Sequence, residues 1–206
     1  MQQQLSLVGW HAEFFSAIRP ESAANFPSIG ARGCFLSHLS VLKNAYDAGE
    51  GQLIILEDDV NFGPGFTDRW NSSMSELGSK DWSIFYPGHV LDSLPLGLSL
   101  IPRSVGVRCA HFMAVNSEAI PILIQGLESI LSRPAGHPLG GPMHVDGAYS
   151  AIRAQQPSLV TYAYSPVLGY QRPSRTDIGS LKWFDRTPIL RPVIEFARKL
   201  KGKAVC

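Results

Sequence analysis

The residues with the most chemical content are Glu57, Asp58 and Asp59, three adjacent carboxylates between the apolar run Leu53-Ile-Ile-Leu56 and the loop Asn61-Phe-Gly-Pro-Gly65. Neighbouring carboxylates repel one another and cannot be buried uncompensated. In open α/β sheets, ligands bind at the carboxyl ends of strands. Hard oxygen ligands at such a strand end suit a Mg²⁺ or Mn²⁺ ion that shares substrate phosphates. A solvated acidic turn is the plain alternative, and these residues alone leave both readings open. Ser37 and His38 form a second polar pair, with His38 on a helical stripe with Cys34, Val41 and Ala45. A structural histidine is the ordinary reading there. His111 and His144 fall in segments expected to approach the same sheet edge. Cys34, Cys109 and Cys206 are too few and too far apart for a disulfide framework, and they lack CxxC metal spacing. Cys34 and Cys109 read as small buried apolar residues, and Trp70 and Trp82 as core.

The elements that would position these groups alternate along the chain. His11 to Ile18 reads as a short strand. Phe35, Leu39, Leu42 and Tyr46 fall at helical spacing and Gly49 supplies a stop, so the spacing predicts a helix over Arg32 to Ala48. Gln52 to Leu56 is a continuous apolar run, as expected of a strand covered on both faces. A second helix carries Trp70, Met74 and Leu77 on one face. Trp82 to Tyr86 reads as a strand ending at Pro87-Gly88-His89, and Val105 to Cys109 and His111 to Val115 as two more. Ser117 is the expected N-cap of a helix reaching about Leu131. Val145 to Gln155 reads as helical and Leu159 to Tyr164 as extended. Alternation of this kind argues an α/β fold with a mixed or parallel sheet.

Composition narrows the function classes. The chain has 206 residues, 45% of them hydrophobic, and reads as one domain. That apolar fraction excludes intrinsic disorder. Eighteen Lys and Arg oppose seventeen Asp and Glu, so the net charge of +1 offers no global field for nucleic acid. No apolar run approaches the roughly 18 residues of a membrane span. Met1-Gln-Gln-Gln lacks the basic start of a secretory signal, which points to a soluble cytoplasmic protein. Charge is uneven, however: residues 182–206 hold seven basic and two acidic side chains. Within them Val193, Ile194, Phe196, Ala197 and Leu200 make an apolar helical stripe beside Arg198, Lys199, Lys201 and Lys203. Such a basic amphipathic helix suits peripheral contact with an anionic membrane, such as the inner face of the inner membrane. A helix docked on its own domain with a solvated basic face is the alternative.

The block Gly30-Ala-Arg-Gly-Cys-Phe-Leu-Ser-His38, a helix, and then Ile54-Ile-Leu-Glu-Asp-Asp-Val60 together resemble glycosyltransferase family 25. That family holds the bacterial lipooligosaccharide galactosyltransferases and the collagen galactosyltransferases. Phe112-Met-Ala-Val115, His144-Val-Asp-Gly147 and Tyr170-Gln-Arg-Pro-Ser-Arg-Thr-Asp-Ile178 look similar as well, extending the resemblance over roughly residues 11 to 178. It implies a GT-A-like nucleotide-sugar-binding fold with a mixed central sheet. Family members open with a strand and helix ahead of the segment matched by His11 to Ile18, so the implied fold here lacks that opening strand. The resemblance implies donor-binding roles for Ser37, His38, Glu57 and Asp58, and a metal held by Glu57 and Asp59. It also matches the family's aspartate in the later Val-Asp segment to Asp146.

The implied activity is metal-dependent, inverting transfer of a sugar such as galactose from a UDP-sugar to a cell-surface glycan, with lipopolysaccharide core as the example. A Mn²⁺ or Mg²⁺ ion would neutralise charge developing on the leaving nucleoside diphosphate. A general base must deprotonate the acceptor hydroxyl. With the first acidic cluster assigned to the cation, the acids between Asp92 and the basic tail are Glu118, Glu128, Asp146 and Asp177. Glu118 and Glu128 lie on an expected helix as solvated charge, and Asp177 sits beside Arg172 and Arg175. Asp146, flanked by glycines, is left as the base, and a helix-capping role is its alternative. Two other readings of the whole chain stay open. One is a non-catalytic relative that binds glycan or a partner enzyme, and the other is a metal-dependent phosphohydrolase.

Overall fold

The computed structural model describes residues 1–172. The expected helix 181–206 and the residues Arg175 and Asp177 lie outside them. The chain begins with a short helix α1 (Gln2–Val8), continues through an extended loop to helix α2 (Ile29–Asp47), and then enters β1 (Gln52–Leu56). Next come β2 (Val60–Phe62), α3 (Phe66–Leu77), β3 (Ile84–Val90), β4 (Gly97–Leu100) and β5 (Arg108–Asn116). Helices α4 (Ala119–Ser132) and α5 (Val145–Gln155) precede β6 (Thr161–Ser165) and β7 (Gly169–Gln171).

Five strands form a sheet in the order β1-β5-β3-β6-β4, and β2 pairs with β7 in a separate ribbon. The sheet is mixed, as expected: β3 runs parallel to β6, while the β1/β5, β3/β5 and β4/β6 pairs are antiparallel. Period-two alternation sorts the strand residues between two layers. Ile84 and Tyr86 of β3, with Met113 and Val115 of β5, pack beneath α2, α4 and α5. Phe85 and Ala114 point the other way, against Leu77 of α3 and Trp82. A third cluster of Val60, Phe66, Phe112 and Leu168, joined by Trp10 and Trp70, seats the β2/β7 ribbon. Trp70 and Trp82 are thus core, as expected.

Several expectations are corrected. His11 to Ile18 forms no strand; it is an extended loop with Phe14 58% exposed. β1 lies at the sheet edge and is not covered on both faces, since Ile55 is buried while Ile54 on the opposite face is 41% exposed. β3 does not stop at Tyr86 but runs to Val90, taking Pro87 into a register irregularity between Phe85 and Gly88. Proline within a sheet is tolerated at such a bulge. Gly88 is needed there, because a Cβ would lie 2.6 Å from His111 Nε2 and 2.8 Å from the Gly169 carbonyl oxygen. The two strands expected over residues 105–115 are one, β5, with Cys109 held at a φ of 67° near its start. Helix α4 is not capped by Ser117: Asn116 Oδ1 accepts from the Ala119 N–H at 2.9 Å.

Candidate functional site

Helix α2 starts where Ser28 Oγ accepts the Ala31 N–H at 3.0 Å, an N-cap that satisfies one of the first-turn donors. Residues four apart on a helix share a face, and two such pairs, offset by one residue, divide the Gly-Cys-Phe-Leu-Ser-His block. The first pair, Gly33 and Ser37, seats the extended loop. Ser37 Oγ accepts from the Ile18 N–H at 2.9 Å and donates to the Gly33 carbonyl at 2.8 Å. A Cβ on Gly33 would stand 2.6 Å from the Ile18 carbonyl oxygen. The second pair, Cys34 and His38, faces the end of β1. His38 Nε2 lies 3.4 Å from Glu57 Oε1, and Cys34 Sγ lies 3.7 Å from the same oxygen. The other ring nitrogen, Nδ1, meets the Tyr149 hydroxyl of α5 at 3.1 Å. His38 and Tyr149 are both buried.

Sheet pairing delivers Glu57 to that position. Leu56 is opposite Phe112 in the β1/β5 ladder, and the Glu57 N–H continues it by donating to the His111 carbonyl at 2.8 Å. Asp59 turns toward the β2/β7 ribbon, where Gln171 Nε2 donates to its Oδ2 at 2.9 Å and the Arg172 N–H donates to its carbonyl. The Arg172 side chain donates to the Asp58 carbonyl at 2.8 Å. Across the site, Asp146 lies in the first turn of α5. Its Oδ2 accepts the Cys109 N–H at 3.0 Å, and its Oδ1 accepts the Gly147 N–H at 2.8 Å. It is therefore not the N-cap, a position held by the exposed His144. It clamps the left-handed Cys109 instead. His111 is buried, with Nε2 3.3 Å from the Gly169 carbonyl.

The electrostatics follow from this crowding. Burial pushes the Cys34 thiol far up, and the charges of Glu57, Asp146 and Asp59 push it further. Burial also works to raise Glu57, but the His38 hydrogen bond and charge, with His111 and Cys34, hold its carboxyl below the usual range. Asp59 goes the other way: burial raises it, and Glu57 and Asp58 add repulsion that the Gln171 hydrogen bond only partly offsets. Carboxylates from the end of β1 and the start of α5 therefore both act on the Cys34 thiol.

Of the sequence-identified residues, the structure brings together His38 and Glu57, with Asp59 and Asp146 close enough to act on Cys34. Asp58 is exposed beside them. Ser37 faces the loop rather than this cluster. The Glu57 and Asp59 carboxylates each use one oxygen on a different partner, His38 for Glu57 Oε1 and Gln171 for Asp59 Oδ2. Cys34, Tyr149, Cys109 and Gln171 were not anticipated as site residues. The i,i+4 spacing of Cys34 and His38 was the available signal for the first. For the other three no local pattern announces the contact.

Residues 11–90 match the family model for glycosyltransferase family 25 (LPS biosynthesis protein). Among curated proteins, the chain is 31% identical over 84 residues to procollagen galactosyltransferase 2 of Mus musculus, covering 40% of this chain and 13% of that protein. It is 36% identical over 61 residues to procollagen galactosyltransferase 1 of Danio rerio, covering 29% of this chain and 10% of that one. The same identity and coverage hold for a Bos taurus protein named "Probable inactive glycosyltransferase 25 family member 3". The alignments thus span 10–13% of the length of these relatives.

Proposed function

We propose, for a chain whose residues 11–90 match the model of glycosyltransferase family 25, that it transfers a sugar from a UDP-sugar to a hydroxyl of a cell-surface glycan, with inversion at the anomeric carbon. Galactose is the first sugar to test, because two relatives are named galactosyltransferases. Lipopolysaccharide core is the first acceptor, in line with the family's description. The observation that carries the reading is the meeting of two separate acidic elements at one end of β5: Glu57, whose N–H bonds the His111 carbonyl, and Asp146 of α5, whose Oδ2 accepts from Cys109 two residues earlier on that strand. Inverting transfer needs two kinds of acidic group, one set on the diphosphate side and one base on the acceptor side.

Asp146 is the proposed base. Each of its oxygens already accepts one backbone N–H, which orients the carboxylate, and each keeps a lone pair for an acceptor hydroxyl. A Mn²⁺ or Mg²⁺ requirement for donor binding is part of the proposal, with Asp59 and Asp58 as its carboxylates. The charge of Asp59 is costly where it sits, and a cation would relieve that cost while neutralising the donor diphosphate. The basic residues of 182–206 would bring the chain to an anionic membrane that displays the acceptor.

The purified chain is to be melted with a panel of UDP-sugars, with and without Mn²⁺ or Mg²⁺, and assayed for UDP release with a glycan acceptor. A true donor at about 100 times its Kd stabilises by about 2.7 kcal/mol. Asp146→Asn should lower kcat by about 10²–10⁴-fold while the donor still raises Tm. No response to any UDP-sugar would favour the non-catalytic relative, and phosphate-ester hydrolysis without acceptor would favour the phosphohydrolase. Near-normal kcat in Asp146→Asn would remove that residue from the reaction.

A further inference from the structure

Cys34, His38 and Glu57 bring one sulfur, one nitrogen and one oxygen to a common point, all three atoms within 4.8 Å of one another. A tetrahedral Zn²⁺ with bonds of about 2.3 Å to sulfur and about 2.0–2.1 Å to nitrogen and oxygen has S···O and N···O edges of about 3.5 and 3.3 Å. The observed separations are 3.7 Å from Cys34 Sγ to Glu57 Oε1 and 3.4 Å from His38 Nε2 to the same atom. Those two edges match within about 0.2 Å, and the third, from Cys34 Sγ to His38 Nε2, is no longer than 4.8 Å. The outer partner is also in place. A metal-bound imidazole is normally fixed by a hydrogen bond from its other nitrogen, and Nδ1 of His38 has the buried Tyr149 hydroxyl at 3.1 Å. With the proton on Nδ1, the Nε2 lone pair faces the cluster.

We propose that Cys34, His38 and Glu57 form a binding site for a borderline divalent transition-metal ion of the Zn²⁺ class. The ligand types select that class: Mg²⁺ and Mn²⁺ prefer all-oxygen shells, whereas mixed sulfur, nitrogen and oxygen suits Zn²⁺. Three protein ligands leave a fourth position for water or a substrate oxygen. On binding, the Cys34 S–H bond breaks, its proton goes to solvent, and the sulfur lone pair joins the metal. The proton of the neutral His38 ring, carried on Nε2 toward Glu57 without an ion, moves to Nδ1, where the Tyr149 hydroxyl accepts it, and Glu57 contributes one carboxylate oxygen. Asp146 and Asp59 lie near enough to act on the Cys34 charge, so their negative potential favours a cation there. Without an ion, S–H and N–H hydrogen bonds to Glu57 hold the same three groups together. The site shares Glu57 with the acidic cluster assigned to sugar transfer, but it rests on ligand geometry and does not depend on that activity.

The test uses the full chain with Cys109→Ser and Cys206→Ser, which leaves Cys34 as the sole cysteine of three. Chelator-stripped protein is titrated with Co²⁺ and then with Zn²⁺ against a chromogenic chelator. The expected result is one equivalent of Co²⁺ bound with release of one proton and a near-ultraviolet thiolate-to-cobalt charge-transfer band, which Zn²⁺ then displaces without further proton release. Cys34→Ser should abolish the band, with circular dichroism reporting whether the variant folds. Tyr149→Phe should keep the band but weaken Zn²⁺ by about 10–100-fold. Absence of a thiolate band in the sole-cysteine chain would overturn the site without any mutant of the ligands. So would Zn²⁺ affinity unchanged in folded Cys34→Ser. UDP-sugar binding is measured in parallel: its failure beside an intact Co²⁺ band would count against sugar transfer alone.

Discussion

Asp59 carries a charge that its surroundings oppose. Burial is the largest cause, followed by repulsion from Glu57 and Asp58, and the Gln171 hydrogen bond recovers only part. Because its folded-state pKa lies above the ordinary value of 3.8, the ionised carboxylate costs stability. That cost is absent below pH 3.8, grows as pH rises through the folded-state value, and is then constant. Asp59→Asn retains an oxygen for Gln171 and removes the charge. Its Tm should exceed that of the unmodified chain at pH 7, and the gap should close as pH falls toward 4. Thermal melts over that pH range check it, and a gap independent of pH would mean that the charge is not the cause. Glu57 runs opposite: held below its ordinary 4.5 by His38, it contributes stability above that pH and loses it as the carboxyl protonates. Glu57 and Asp59 thus meet protein partners, His38 and Gln171, while Asp58 is exposed. A cation beside Asp59 would offset the cost of its charge.

At the scale of elements, α2 works as a two-sided bracket. Its Gly33 and Ser37 side holds the extended loop, and its Cys34 and His38 side holds the end of β1. Gly33→Ala tests the first side. Alanine would gain about 1 kcal/mol of helix propensity, but its Cβ would lie 2.6 Å from a backbone oxygen and 3.3 Å from the Pro20 ring. Backbone cannot yield as a flexible side chain can, so the loop should lift from α2. Limited proteolysis should then cut within residues 10–27 faster than in the unmodified chain, and Ser37→Ala should do the same more weakly, since one hydrogen bond is worth about 1 kcal/mol. A raised Tm with unchanged cleavage would refute the bracket. Both sides of α2 lie within one nine-residue block, so the helix and its polar pair are readable from spacing, as are α3, β1 and α5. What spacing cannot supply is the partner. Phe14 and Phe15 resemble strand residues until no neighbouring strand is found for them. Pro87 and Gly88 resemble a strand end until the bulge opposite β5 absorbs them. Cys34 resembles a core thiol until Glu57 arrives, and Tyr149 reaches His38 across 111 residues of sequence. Each miss concerns a contact made in three dimensions, where the local pattern is silent.

For the whole molecule, the decisive asymmetry is charge. Seven basic and two acidic residues over 182–206 give that stretch +5, which leaves −4 for the first 181 residues. No helix among the described residues is long and apolar enough to cross a membrane. At an anionic membrane surface each Lys or Arg is worth about 1 kcal/mol. A body of opposite sign would be repelled by the same lipid, so on an anionic membrane the two parts together would orient the chain with residues 182–206 toward the lipid. The field decays over about 10 Å at 0.1 M salt and about 3 Å at 1 M, so attraction of this origin must be released by salt. Co-sedimentation should find the full chain on vesicles containing phosphatidylglycerol and not on neutral phosphatidylcholine, with release as salt rises toward 1 M. Replacing Lys199, Lys201 and Lys203 by Glu lowers the net charge of the stretch from +5 to −1 and should abolish binding while leaving UDP-sugar binding intact. Equal binding to neutral and anionic vesicles would assign the contact to the apolar stripe Val193 to Leu200 instead, and binding to neither would leave the basic face as solvated surface.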